Sequence, residues 1–462
     1  MNRFAFELPT PRYCSAHSRP SRSDRPPRRA GVMALGAVSL LTLAVAGAVV
    51  AAEPPLTLAE AQRLAAERSK HLEASDLALT ASKNLTIPAA ERPDPIAKVG
   101  LENFPIDGAE RFSVQRDFMT MRSVGIMQEI TRPTRLRARA AESEQAVRLA
   151  EAQRAQARVD VQRDSALAWL DRYYAEAQER AVLEQVQVVR LDVAGAEAGY
   201  RGGHGTAADV LAARAALAEA EDLDADASRQ VRGAKLALAR WIGEAAERVL
   251  AGQPAIDSIP LHKHSLDSQL ADHPEILALQ RREELAQAGA EVARADRHPD
   301  WSVEFMYSQR GIAYSNMVTL ELTVPLEIRR AHRQDPKLAA KLAEASQAKA
   351  EREDMLRAHV AEIGVMIDAW DSARERRERY RSAIVPLAAD RSVAARAAYG
   401  GGKASLSDLL LARRAEIDAR LKALQLEQSA ARLWAQLTFL NSAPAVADVA
   451  SPSIDSDRGG LP

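Results

Sequence analysis

Cysteine is all but missing from the 462 residues: Cys14 is the only one, and it lies ahead of an apolar run that ends at Ala52. The chain beyond Ala52 therefore has no thiol nucleophile, no disulfide staple and no thiolate for a metal. No apolar run of eighteen or more residues follows Ala52, so a mature protein that enters a membrane must do so with β-strands. There is no phosphate loop, no His-Glu-x-x-His and no Gly-x-Ser-x-Gly. The chain is expected not to be an enzyme and to carry no cofactor. A basic stripe is missing too. Lys and Arg are interspersed with Asp and Glu at helical spacing, which argues against nucleic acid as a partner.

With 47% hydrophobic and 27% charged residues, the chain is neither a disordered polymer nor a polytopic helical membrane protein. Its formal charge of −1 hides an imbalance: residues 1–52 carry +5 and the remainder −6. A basic stretch ending in Arg28 and Arg29 precedes the apolar run from Gly31 to Ala52, which closes on small residues. This order predicts a secretory signal peptide over residues 1–52, cleaved after Ala52.

Four short stretches alternate with period two between Pro, Gly, Asp or Asn boundaries: Pro95 to Phe104, Ser123 to Ile130, Trp301 to Ser308 and Met317 to Leu326. They are expected strands, of a length suited to crossing a bilayer at a tilt. Two hairpins cannot close a barrel, so spanning requires neighbouring subunits to remove the edges. Met119, Met121 and Met127 fall on one expected strand face, where methionine fills apolar contacts rather than ligating a soft metal. Between Thr134 and Gly199 there is no proline and one interior glycine, Gly195. This predicts a helical rod of about 100 Å. Leu136, Val147, Val159, Leu170, Tyr174, Leu183 and Val186 supply a narrow apolar stripe among alanines, as in a coiled coil. A second rod is expected from about Pro336 to Tyr399, kinked at Pro386.

Repetition organises these elements. AGYRGGHGTAADVLAAR (Ala198 to Arg214) aligns with AAYGGGKASLSDLLLAR (Ala397 to Arg413). In each copy a tyrosine, Tyr200 or Tyr399, ends a helix. Glycines, Gly202 and Gly203 or Gly401 and Gly402, are expected to reverse the chain with positive φ, and Thr206 or Ser405 to cap the returning helix. Each copy reads as the tip of a long αα-hairpin. Preceding each are a shorter helix (about Leu58 to Ala90, about Leu266 to Arg297) and two strands. The fold class is mainly α with membrane β, a duplicated helix-strand-strand-helix-helix unit. Residues 53–242 and 265–441 are the expected repeats, 243–264 an irregular connecting segment and 442–462 a disordered tail. His262 and His264 in the connector are taken as surface-loop residues rather than a metal site, and His359 as a satisfied or solvated helical residue.

The chain resembles the TolC-like outer-membrane efflux proteins over essentially all of residues 53–441. The resemblance is carried by LTLAEAQRLAAERS at Leu56, HPEI at His273, PDWSVEF at Pro299 and both Tyr-Gly-Gly tips, in that order and spacing. It implies a homotrimer whose twelve strands form one β-barrel in outer-membrane lipid, on an α-helical periplasmic tube. It also implies a periplasmic adaptor and an inner-membrane resistance-nodulation-division pump as partners. PDPIAKVGLENFPIDG (Pro93 to Gly108), RDFMTMRSVGIMQEI (Arg116 to Ile130) and VPLEIRRAHRQDP (Val324 to Pro336) resemble the branch that exports heavy-metal cations.

In that family, acidic residues opening the returning helix form rings that narrow the periplasmic aperture. Asp209 and Asp408 hold the matching positions, with Tyr200 and Tyr399 suited to clamp neighbouring helices. Leu411 stands where a second acid can occur and His204 where the tip is otherwise neutral, so the gate departs from the family pattern. A first-turn aspartate favoured by the helix dipole is the competing reading of either residue. Two other functions remain open: a duct for drugs or other organic molecules, and a secreted coiled-coil scaffold without a pore.

Overall fold

A computed structural model describes residues 54–252, 255–262 and 265–440. The chain divides into units 1–52 and 53–462, and the description concerns the second. The expected signal peptide, His264 and the tail at 442–462 lie outside the described residues.

The order of elements is α1 (Leu58–Arg68), α2 (Lys70–Ala90), β1 (Ile96–Glu102), β2 (Met121–Ile130), α3 (Pro133–Arg201), α4 (Ala207–Ile242), α5 (Leu266–Ala271), α6 (Pro274–Ala295), β3 (Trp301–Gln309), β4 (Met317–Thr323), α7 (Gln334–Arg379), α8 (Val385–Gly400) and α9 (Leu406–Thr438). Helix, two strands, long helix, tip and returning helix thus occur twice. All four expected strands form, but Met119 falls short of β2, so only Met121 and Met127 share its face.

Two expected helices are each broken in two. Ser69 takes an extended conformation and its hydroxyl accepts from Leu72 N at 3.2 Å, so a local cap separates α1 from α2. His273 is likewise extended, as a residue before proline prefers, and Pro274 opens α6. The long rod α3 runs 69 residues without interruption from Pro133, where the missing N–H has no helical partner to lose. The second rod is interrupted just ahead of Pro386. A five-residue π-turn, Tyr380–Ile384, joins α7 to α8, widening the helix one turn ahead of the ring that cannot donate.

The largest core lies where the halves meet. Trp169, Leu170 and Tyr174 of α3 pack with Leu238 and Ile242 of α4, Ile363, Ile367 and Trp370 of α7, and Trp434 and Leu437 of α9. The connector completes it with Ile256 and Leu261. Trp169 Nε1 donates to the Leu56 carbonyl at 3.2 Å, and Leu56 bridges Leu250. Arg172, buried, donates to the carbonyls of Ala246 and Arg248 and pairs with Glu176 at 2.7 Å. The guanidinium therefore satisfies irregular backbone that has no ladder of its own. Away from this collar the cores are small: Val182, Val186 and Val189 meet Ala220 and Ala227. Leu183, on the expected stripe of α3, is exposed, and α2 buries no residue at all.

Candidate functional site

The four strands form one antiparallel sheet in the order β1-β2-β3-β4, which leaves an open edge at β1 and another at β4. Directly paired residues share a face in such a sheet. One face carries the rows Ala97, Ile126, Phe305, Leu320 and Val99, Val124, Tyr307, Val318. The opposite face carries Lys98, Gly125, Met306, Thr319, then Gly100, Ser123, Ser308, Met317, and also Glu304 and Glu321. The apolar face is exposed, with Val99 86% and Leu320 74% accessible, whereas Ser123, Glu304 and Ser308 of the opposite face are buried in β2 and β3; β4 is exposed on both faces. Lys98 pairs with Glu304 on the polar side. A water-facing sheet has the reverse pattern, whereas a membrane barrel presents apolar residues outward to lipid and polar ones to its lumen. Among the described residues no helix is long and apolar enough to cross a membrane.

At the far end of the helices the two tips stand side by side. Ala196 of α3, Ala213 of α4, and Leu406 and Leu409 of α9 form a shared core, with Tyr399 and Val210 against it. Tyr200, the counterpart of Tyr399, is instead more than half exposed. The turns are matched, but positive φ is confined to the second glycine of each pair. Gly203 and Gly402 have φ of 77° and 70°, while Gly202 and Gly401, at −81° and −86°, remain in ordinary right-handed territory. One left-handed residue is sufficient to end a helix, so the first glycine does not need its freedom for φ.

Asp209 and Asp408 sit at the third position of α4 and α9 in complete capping boxes. The Asp209 carboxylate accepts from Thr206 N at 2.8 Å and from its hydroxyl at 2.7 Å, and Thr206 Oγ1 accepts from Asp209 N at 3.1 Å. Ser405 and Asp408 repeat the arrangement. Hydrogen bonds from the cap hydroxyl and then its backbone N–H hold both carboxyls below the usual carboxylate range. Both residues are at the surface and ionised at neutral pH.

Behind the tips lies a junction that periodicity does not reveal. Arg413 of α9 is nearly buried and reaches Asp192 of α3 and Glu416 at 3.6 Å each, while donating to Ser392 Oγ of α8 at 3.0 Å. Burial raises the Asp192 carboxyl despite the opposing charges of Arg413 and Arg396. Arg214, the repeat counterpart of Arg413, makes an exposed pair with Glu197 at 2.6 Å. The same residue thus became an inter-half brace in one copy and a surface ion pair in the other.

His359, expected to be satisfied or solvated, is buried, and its ring centroid lies 4.7 Å from that of His273. Glu275 is beside them, with one donor atom from each of the three residues within 4.8 Å of the others. Burial first, and then the neighbouring His359, lower the His273 imidazole to about 4.

A protomer whose exposed sheet face is apolar, whose covered face is polar and whose sheet edges are both open, mounted on paired helical hairpins, is built as a segment of an outer-membrane channel wall. The chain belongs to the family described as Outer membrane efflux protein, matched over residues 116–244 and 266–441. Solved structures share the fold. CusC superposes with a TM-score of 0.71 at 15% identity, over 84% of this chain and 92% of that one. The outer membrane channel CmeC of Campylobacter jejuni gives 0.70 at 14% identity, covering 83% and 85%. The outer membrane protein VceC of Vibrio cholerae gives 0.68 at 19%, covering 83% and 95%. Curated protein sequences give no match.

Proposed function

We propose that three copies of this chain close a twelve-stranded barrel in the outer membrane above a periplasmic helical tube. In this reading the tube passively conducts heavy-metal cations delivered by an inner-membrane resistance-nodulation-division pump through an adaptor at the tips. The observation that carries the channel is the sheet, with an exposed apolar face and two edges that only a neighbour's β4 and β1 can satisfy. Residues 53–242 and 265–441 act as the two halves of each protomer. Cation cargo is supported by the stretches at Pro93 to Gly108, Arg116 to Ile130 and Val324 to Pro336. It is also supported by the polar sheet face, where Glu102, Glu129, Glu304 and Glu321 outnumber Lys98. Such an excess of carboxylates concentrates cations in a narrow aqueous lumen.

Asp209 and Asp408 would ring the periplasmic aperture, with Tyr200 and Tyr399 lining the helix contacts around it. Three like charges brought together repel one another, so closure must be held by contacts such as the Arg413 brace behind the tips. Deleting the gene tests the cargo: tolerance to zinc, cobalt, cadmium, copper or silver should fall. Unchanged metal tolerance with altered drug tolerance would instead assign the duct to organic molecules. Recovery of the protein in the soluble fraction without detergent would reject the channel itself in favour of a scaffold.

A further inference from the structure

The beginning of α6 meets the middle of α7 in an unusual way. His273, immediately before α6, and His359 of α7 are both buried, and His273 Nδ1 and His359 Nε2 have no hydrogen-bond partner among the described residues. Each such nitrogen, withdrawn from water and left unpaired, is destabilising. The rings are tilted by 41° and do not stack, so packing alone does not compensate. The backbone of Leu440 lies beside the His273 ring and favours its charged form. With the ring proton on Nε2, the unpaired Nδ1 offers a bare lone pair, as a metal-ligating histidine does. Glu275, on the first turn of α6, brings a half-exposed carboxylate to the same point. The nearest opposing charge, Arg163, is engaged by Asp160 and Asp164 at 2.9 Å each.

From this geometry we infer that His273 Nδ1, His359 Nε2 and the Glu275 carboxylate form a resident site for one divalent transition ion of the zinc or cobalt class per protomer. Two imidazoles and a carboxylate are the donor set of open tetrahedral zinc sites, with the fourth position left to water on the exposed Glu275 side. Nitrogen donors disfavour magnesium and calcium, and no thiolate is present to favour copper(I). Bonds of about 2.0–2.2 Å require the donors to stand roughly 3.3–3.5 Å apart. The donors stand within 4.8 Å of one another, so the three side chains need only draw together a little to reach that spacing. The ion would tie α6 to α7 and, through Leu440, to the end of α9, beside the collar core. It is buried in the protomer and independent of which cargo the duct carries.

The test uses the purified full-length protein in detergent, stripped of metal with a chelator. Titration with zinc by calorimetry should give about one ion per protomer. Cobalt should give visible d–d absorption of a low-coordinate site, and zinc should raise the thermal midpoint. Glu275→Gln, nearly isosteric and at a partly exposed position, and His359→Ala should each weaken zinc binding at least about 10-fold. His262→Ala, in the connector, should not. Absence of stoichiometric binding in the unaltered protein, or unchanged affinity in either Glu275→Gln or His359→Ala, overturns the assignment.

Discussion

Each tip aspartate is a helix cap, and substitution can separate that part from the aperture role proposed for it. Asp209 and Asp408 close capping boxes through their carboxylates, and in the proposed channel the same charges face the aperture. Asp408→Ala, alone or with Asp209→Ala, should raise single-channel conductance in planar bilayers. The paired Asp→Asn variant keeps an oxygen for the cap and removes only charge, so it should raise conductance as well. Unchanged conductance in all of these variants rejects the aperture role. The pH dependence has a definite sign. Both carboxyls are depressed in the folded protein, so their stabilisation is complete above the unfolded value of about 3.9 and is lost as pH falls through the lower folded value. Amide protection at the tips, corrected for intrinsic exchange, should be flat from neutral pH down to about 5 and fall below about 4. Arg413 offers a contrast with its repeat counterpart. Arg413→Ala leaves Asp192 largely buried without its ion-pair partner, while Glu416 keeps Arg420 at 2.7 Å, a loss of up to about 3–5 kcal/mol. Arg214→Ala removes only an exposed, solvent-screened pair and should leave the unfolding midpoint nearly unchanged. Thermal unfolding should separate the two variants clearly.

At the scale of elements, β4 gives the sharpest comparison, because Thr319 and Leu320 are adjacent and point to opposite faces. Leu320→Lys puts a charge on the lipid side, where it costs about 2–4 kcal/mol near the midplane. It should reduce the yield of heat-resistant trimer in the outer-membrane fraction, whereas Thr319→Lys should leave assembly intact. Equal effects of the two would contradict the assignment of faces. The elements themselves were largely legible in the sequence. The alternation of Met317 to Leu326 and the absence of proline between Thr134 and Gly199 are local signals, and β4 and α3 follow from them. Where reading failed, a competing local bond decided. The Ser69 hydroxyl offered Leu72 N an alternative to the helix, and the chain ahead of Pro386 widened into a π-turn. The paired glycines looked equivalent, yet only Gly203 and Gly402 require a left-handed backbone.

On the scale of the whole molecule, the protomer leaves unsatisfied what an assembly would complete: two strand edges, an apolar sheet face and a helix α2 with no buried residue. Among the described residues the only large core is the collar, where both halves and the connector meet around Trp169, Trp370 and Trp434. The sequence by itself determined the repeat, the rods, the strands and the tips, because propensity, capping and periodicity act over a few residues and leave their signature there. Tertiary structure alone decided which sheet face is covered, that Arg413 rather than Arg214 spans the halves, and that His273, Glu275 and His359 converge. Those outcomes depend on how distant helices pack. No spacing along the chain encodes the meeting of α6 with α7, so the three potential ligands read as unrelated until the fold brings them within reach.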